Sequence, residues 1–218
     1  MIAALLLAAA QPTTAIEAER AFLVDAQTLG QWTAFRKWSS DEALMFTPEP
    51  VNAHEFLKDR KDPPVSIYWW PGRSYVSCDG TYAVNTGPWV RDAGKAVGYF
   101  TTVWQRQPDG SWKWIYDGGN GLKTPRAEGG DIRPQQASCE GQPRIDTAIT
   151  GTTEAGFSPG GGESADSTLW WSWIVDPAGE RTFVAKLWNG RSYDTVINDQ
   201  IPAPAEVRLS PIVDPSHD

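Results

Sequence analysis

Hydrophobic and polar residues alternate most clearly between residues 98 and 119, and this alternation predicts two β-strands joined by a tight turn. The turn is Pro108-Asp109-Gly110, and an Asp-Gly pair between two alternating runs is a strong hairpin signal. Large aromatic residues fall on both faces of the two strands. We therefore expect a central hairpin that is covered on both sides.

The pairing of these strands follows if Asp109-Gly110 forms a two-residue loop. Val103 is then opposite Tyr116, and Gln105 is opposite Trp114. This register puts Trp114 and Tyr116 on the same face of the hairpin. The other face holds Phe100, Thr102, Trp104 and Asp117.

Short helices are predicted before the first long strand. Apolar residues recur at steps of three and four over residues 16–29, which is typical of an amphipathic helix, and Gly30 is suited to end it. Aromatic residues mark a second helix over residues 32–38. Asn52 is a suitable N-cap for a third helix over residues 53–58.

Strand patterns follow over residues 65–70, 73–78, 81–90 and 96–107, before the second strand of the central hairpin. Gly87-Pro88 predicts a bend or bulge within the third of them. Helices followed by a bent antiparallel meander indicate the α+β class.

The chain after residue 119 has a different composition. Residues 120–162 are rich in Gly, Pro and polar residues, and we expect a flexible linker at 158–162. Alternation over residues 168–188 predicts a second hairpin, with a possible further strand near 193–197. This unit is too short for a core of its own, so we expect it to pack on the first sheet. The tail from Pro202 should be irregular.

Residues 1–10 are uninterrupted apolar, and small residues at 8–10 or 13–15 could form a cleavage site. This pattern predicts a signal peptide over residues 1–15 and a periplasmic or secreted protein. No Lys or Arg precedes the run, and the alternative is an N-terminal helix. The run is too short to span a bilayer, and no other segment is suited to do so.

Cys78 and Cys139 are the two cysteines of the chain. In an exported protein they most simply form a disulfide bond, and the alternative is a pair of free thiols in a reducing compartment. No ligand spacing joins them to His54 or His217, so no metal site is expected.

The formal net charge of −8 argues against nucleic acid or an anionic membrane surface as a partner. The sequence contains neither a phosphate-binding loop nor a nucleophile elbow, and no cofactor is expected. Twelve tryptophans fit either a dense core or an aromatic-lined pocket.

Several short motifs occur in a defined order. They are Phe46-Thr47-Pro48, Asp79-Gly80, Thr86-Gly87-Pro88-Trp89, Gly98-Tyr99-Phe100, Val103-Trp104, and Asp109-Gly110-Ser111-Trp112-Lys113 through Asp117-Gly118. In this order they resemble the SnoaL-like, nuclear-transport-factor-2-like superfamily, and in particular its bacterial exported branch of unknown function. The resemblance covers about residues 17–119.

The resemblance implies a cone-shaped, curved antiparallel sheet wrapped on three short N-terminal helices, with a pocket at the wide end. The corresponding domain would span residues 16–122, and residues 123–218 would form a loop-rich extension with a C-terminal β-hairpin. Members of the superfamily include isomerases, cyclases, dehydratases and plain binding or dimerisation modules, so the fold alone does not select a function.

Ligand-binding candidates are the aromatic residues expected between the helices and the sheet. They are Trp32, Phe35, Tyr68, Trp70 and Trp114. The alternative for each of them is ordinary core packing.

Isomerases of this fold use a carboxylate base together with a hydrogen-bond donor. Asp117 is the best candidate for the base, because an apolar wall would raise its pKa, and Tyr99 or Tyr116 could be the donor. The alternative is that Asp117 is a turn residue that caps Gly118-Gly119. Asp25 and Asp79 are further carboxylates near predicted apolar surface.

Three hypotheses for function therefore remain open. The preferred one is an exported protein that binds a small, partly apolar ligand in an aromatic-lined pocket. The second is an isomerase, dehydratase or cyclase of the ketosteroid-isomerase or polyketide-cyclase type. The third is an interaction module that forms a homodimer through exposed sheet aromatics.

Overall fold

The computed structural model describes residues 11–127, 132–143 and 155–204. These residues form an α+β structure with few helices and two β-sheets. Within them, no helix is both long enough and apolar enough to cross a membrane.

The helices lie close to their predicted positions. Helix α1 spans Ala15–Thr28, α2 spans Gln31–Trp38 and α3 spans Ala53–Leu57. Thr14 begins α1 with a capping box, in which its hydroxyl accepts a hydrogen bond from the Glu17 backbone N–H and the Glu17 carboxylate accepts one from the Thr14 N–H. Asn52 caps α3, as predicted.

The first sheet contains eight strands. They are β1 Ser39–Phe46, β2 Pro50–Asn52, β3 Tyr68–Trp69, β4 Arg73–Val76, β5 Tyr82–Arg91, β6 Ala96–Arg106, β7 Trp112–Leu122 and β8 Gln135–Gln136. The order is β2-β1-β7-β6-β5-β4-β8, with β3 paired to β5. The predicted meander of β4 to β7 is antiparallel.

The prediction of a purely antiparallel sheet is wrong at both sides of this meander. Strand β1 runs parallel to β7, and β8 runs parallel to β4. Both parallel strands arrive from distant parts of the chain: β1 follows α2 directly, and β8 lies in the segment that holds Cys139. The sheet is therefore mixed and curved.

The central hairpin has a different register from the predicted one. Its loop is Pro108-Asp109-Gly110, because the Gln107 N–H donates to the Ser111 carbonyl and Gly110 adopts a φ of 83°. Trp104 therefore pairs with Trp114. A bulge in β7 between Trp114 and Tyr116 then shifts the register by one residue, so that Val103 pairs with Tyr116 as predicted.

This bulge changes which β7 residues share a face. Side chains alternate along a strand, so an extra residue between Trp114 and Tyr116 puts them on opposite faces. Trp114 packs in the core under the helices, and Tyr116 packs in the other core cluster. Asp117 pairs with Thr102 and lies on the helix-covered face with Trp114.

The second sheet has the order β12-β11-β10-β9 and is antiparallel. Its strands are β9 Ser158–Glu163, β10 Leu169–Val175, β11 Arg181–Trp188 and β12 Tyr193–Ile201. The predicted hairpin is confirmed as β10 and β11. The prediction of a flexible linker at 158–162 is wrong, because this segment is β9. Its Gly160 and Gly162 pair with Trp173 and Trp171, whose indoles lie against the glycine backbone.

Both faces of the first sheet are buried, as predicted for its central hairpin. On one face, Phe22 and Phe35 of the helices pack against Trp104 and Trp114. On the other, the aromatic and aliphatic residues of the second sheet pack on Val103 and Tyr116. The chain thus forms a helical layer and two sheet layers.

Cys78 and Cys139 form the predicted disulfide bond, with their Cα atoms 5.2 Å apart. The bond joins the turn after β4 to the segment that holds β8. In that segment, the Ser138 N–H donates to the Trp188 carbonyl of β11. The disulfide region therefore fastens the first sheet to the second.

Candidate functional site

A cavity of about 380 Å³ lies between the helices and the first sheet. Its described wall consists of Phe22, Phe35, Ile67, Trp69, Trp89, Tyr99, Phe100, Asp117, Gly118, Gly119, Asn120 and Gly121. Half of these residues are aromatic. The floor is the second half of β7, which includes Gly118, Gly119 and Gly121.

Asp117 is the one ionisable carboxyl in the described wall. Its Oδ2 accepts a hydrogen bond of 2.9 Å from the Thr102 hydroxyl on the neighbouring strand. Burial raises the pKa of Asp117 to about 7, although the Thr102 hydrogen bond and the charge of Arg181 act in the opposite direction. Strand β7 continues to Leu122, so the alternative interpretation of Asp117 as a turn residue is wrong.

A second carboxyl, Glu19, is completely buried in α1 behind the aromatic wall. Its Oε1 accepts a 2.8 Å hydrogen bond from the Trp69 indole N–H, and its Oε2 accepts one of 2.6 Å from the Trp104 indole N–H. Burial raises the pKa of Glu19 to about 7 in spite of these donors, and the nearby charge of Asp117 raises it further. The two carboxyls are therefore electrostatically coupled.

A row of polar side chains connects Glu19 to Asp117 across the sheet. Asn85 on β5 is opposite Thr102 on β6, which is opposite Asp117 on β7. The Asn85 amide nitrogen donates to Glu19 Oε2 at 3.3 Å, while the Asn85 Oδ1 has no hydrogen-bond partner among the described residues. The floor of an otherwise aromatic core thus contains a continuous polar strip.

Sequence reasoning missed Glu19, Asn85 and Thr102. A signal existed for Glu19, because it lies one helical turn after Ala15 and one before Phe22, within the apolar stripe of α1. An acidic residue in such a stripe is rarely fully buried unless it has partners. The predicted hairpin register already put Thr102 on the same face as Asp117, whereas the role of Asn85 depends on the register of β5 against β6, which no local pattern gives.

The structure brings three of the candidates to the cavity: Asp117, Phe35 and Tyr99. Tyr99 and Phe100 are adjacent on β6, so their side chains point to opposite faces of the sheet. The centre of the Tyr99 ring lies 5.1 Å from the Arg126 guanidinium. Burial raises the pKa of Tyr99 to about 12, and the nearby Asp199 adds to the effect. Its hydroxyl therefore stays protonated at neutral pH.

The other candidates lie outside the described cavity wall. Tyr116 packs against Phe183 on the opposite face of the sheet, with 4.6 Å between ring centroids. Trp32 and Trp114 pack on Phe35 within the core. Tyr68 is 48% exposed and lies next to Trp70. The bulge in β7 explains the position of Tyr116, and the shortness of β3 explains that of Tyr68.

Across the described residues, no cluster of three or more His, Cys, Asp or Glu side chains could hold a metal ion. No protein-family model matches this chain, and no curated protein matches it.

The chemistry available at the cavity is proton exchange and hydrogen bonding. A carboxyl with a pKa of about 7 is close to half protonated at neutral pH, so Asp117 can donate or accept a proton there. The aromatic wall would at the same time exclude water from an apolar group.

Proposed function

We propose that the protein binds a small, partly apolar molecule in the aromatic cavity, with Asp117 as its polar contact. The observation that supports this function best is the combination of a cavity of about 380 Å³, an aromatic wall and one accessible carboxyl. Small-molecule sites commonly have this volume and this ratio of apolar to polar groups.

Asp117 is better suited to contact a ligand than Glu19. Glu19 accepts hydrogen bonds from two indoles and one amide, and it is fully enclosed. Among the described residues, Asp117 accepts one hydrogen bond, from Thr102, and it lies in the cavity wall. Its carboxyl therefore has remaining capacity to bind a hydroxyl, an amine or a carbonyl group of the ligand.

We also propose that the chain has the SnoaL-like fold, with a cone-shaped sheet around its N-terminal helices. The order of helices before a curved meander and the position of the cavity between them support this assignment. The aromatic face on which the homodimer hypothesis relied is covered by the second sheet of the same chain.

Export of the protein is part of the proposal. The disulfide bond is compatible with a periplasmic or secreted location. Residues 1–10 of the predicted signal peptide lie outside the described residues. Cleavage at residues 8–10 would preserve Thr14, which caps α1, whereas cleavage after residue 15 would remove it.

Ligand binding can be tested by native mass spectrometry of protein purified from its own host, and by calorimetric titration with octanol. Gly121 lines the cavity, and a Cβ there would meet no atom closer than 4.0 Å. Gly121→Leu should therefore fill the cavity and abolish octanol binding without unfolding the protein, whereas Gly121→Ala should bind nearly as well as wild type. Absence of both a retained molecule and octanol binding in the wild type would refute the proposal.

A second candidate function is proton-transfer catalysis of the ketosteroid-isomerase or polyketide-cyclase type. It is favoured by the pKa of about 7 for a carboxyl in the cavity wall. Asp117→Asn should then slow the isomerisation of a β,γ-unsaturated ketone by roughly hundredfold or more, measured by ultraviolet absorbance. Equal rates for the wild type and this variant would exclude Asp117 as the base.

A further inference from the structure

A second cavity, of about 440 Å³, lies where the two sheets meet. Its wall includes Phe46 at the end of β1 and Pro48 after it, Gly119 and Asn120 of β7, and Arg181 at the start of β11. None of the functions considered above uses this cavity. Its distinctive feature is the side chain of Arg181.

Arg181 is only 6% exposed. Its guanidinium carbon lies 3.9 Å from the centre of the Phe46 ring, and one terminal nitrogen donates to the Gly119 carbonyl at 3.4 Å. The Nε of Arg181 has no hydrogen-bond partner among the described residues. Since a guanidinium has five N–H donors, most of its binding capacity remains available.

Two carboxyls lie near enough to interact with the charge of Arg181, but neither is paired with it within the described part of the chain. Arg181 lowers the pKa of both Asp117 and Asp199, and burial nevertheless raises each pKa above its usual value. Asp117 is hydrogen-bonded to Thr102, and Asp199 to Thr101 at 2.7 Å. A buried cation without a direct counter-charge is costly unless an anion binds to it.

The second cavity adjoins the first. Gly119 and Asn120 line both cavities. Strand β1 pairs with β7 only as far as Tyr116. Among the described residues, no strand lies beside the part of β7 that follows Tyr116 on this edge. The two cavities therefore lie next to each other at this glycine-rich edge.

We propose that Arg181 binds the oxyanion group of the ligand, and that the ligand is an amphipathic acid whose apolar part occupies the aromatic cavity. This inference rests on the proposed ligand-binding function and adds a substrate class to it. A planar guanidinium is well suited to carboxylate and phosphate groups, because it can form two parallel hydrogen bonds with them.

The test compares octanoate and octyl phosphate with octanol, which lacks the anionic group, by calorimetric titration. In the wild type, one of the two anions should bind about tenfold or more tightly than octanol, and the tighter anion identifies the oxyanion. Arg181→Met should remove this advantage and leave octanol binding unchanged. Arg191→Met, at an exposed arginine in the turn before β12, is the control and should change neither affinity.

Three results would overturn the inference. If octanol binds but neither anion binds more tightly, or if Arg181→Met does not change anion binding, the inference is wrong and the proposed function remains. If none of the three molecules binds, the inference is wrong, and the search for a retained molecule by native mass spectrometry decides whether the proposed function is wrong as well.

Arg181→Lys provides a second variant in case Arg181→Met does not fold, because it keeps the positive charge but lacks the planar guanidinium. It should weaken anion binding by an intermediate amount. If neither variant folds, competition decides the question in the wild type: acetate or inorganic phosphate should displace the bound anion but not octanol, and failure to displace it contradicts the inference.

Discussion

Glu19 and Asp117 are the residues that distinguish this core from an ordinary aromatic one. Each carboxyl is held in a place where burial raises its pKa to about 7. Glu19 is surrounded by donors, which makes it a structural acceptor for Trp69 and Trp104. Asp117 has a single donor and contacts the cavity. The same physical cause, removal of water, therefore gives one residue a structural role and leaves the other available to a ligand.

The raised pKa values predict how stability depends on pH. The folded protein retains protons on Glu19 and Asp117 that the unfolded chain releases above its ordinary values of 4.5 and 3.8. The free energy of unfolding should therefore decrease between about pH 4.5 and 7, by about 1.4 kcal/mol per pH unit for each carboxyl still protonated. Denaturant titrations at several pH values measure this slope.

Asp117→Asn is the matched variant for that experiment, because an uncharged amide does not titrate. It should make the slope of the free energy of unfolding against pH shallower between about pH 4.5 and 7, by roughly the contribution of one carboxyl. Asp59→Asn, at an exposed aspartate, is the control and should leave the slope unchanged. A wild-type stability that rises with pH over this range would contradict the assignment.

At the scale of the element, strand β9 and the bulge in β7 determine how the aromatic side chains are arranged. The bulge turns Asp117 towards the helices and Tyr116 towards the second sheet. In β9, glycines allow two buried indoles to lie directly against the backbone. The bulge therefore decides the face on which Tyr116 is buried, and the β9 glycines decide how closely the two indoles approach the backbone.

Substitutions in β9 should show this requirement. A Cβ at Gly160 would overlap the indole of Trp173, which is buried and cannot move away, so Gly160→Ala should destabilise the protein by about 1–3 kcal/mol. A Cβ at Gly162 would be 3.2 Å from the nearest atom of Trp171, and Gly162→Ala should cost less. Thermal and denaturant unfolding of the two variants provide the comparison, and equal losses would contradict this packing argument.

At the scale of the whole molecule, the second sheet covers one face of the first sheet and forms a second layer beside the cavity region. Hydrogen bonds near the disulfide add to the aromatic contacts between the two sheets. There the Cys78 N–H donates to the Thr168 hydroxyl, and the Trp188 indole donates to the Glu140 carbonyl. This region joins parts of the chain that are far apart in sequence.

Removal of the disulfide should therefore lower stability markedly. The bond links positions 61 residues apart, and the double variant Cys78→Ser with Cys139→Ser should lose about 4 kcal/mol in the free energy of unfolding on the chain-entropy account. A reducing agent should lower the melting temperature of the wild type and leave that of the double variant unchanged. Equal sensitivity of both proteins to reduction would show that the bond does not stabilise the fold.

Local signals in the sequence predicted many of the elements. The periodicity of α1, the N-cap of α3 and the Asp-Gly turn each depend on residues a few positions apart, so the sequence displays them directly. The strands of the central meander and the β10–β11 hairpin were predictable for the same reason. Segment 158–162 was not, because its glycines have little preference for a strand until the indoles of β10 pack on them.

The sequence by itself determined the α+β class, the cysteine pair and the choice of Asp117 as the principal carboxyl. Only the tertiary structure decided the face to which Asp117 points, the coupling of Asp117 to Glu19, and the burial of Arg181 between two sheets. The physical reason is that a pKa and a binding cavity depend on solvent exclusion by residues from several elements. Strand register and layer packing set that exclusion, and neither is encoded within a short stretch of chain.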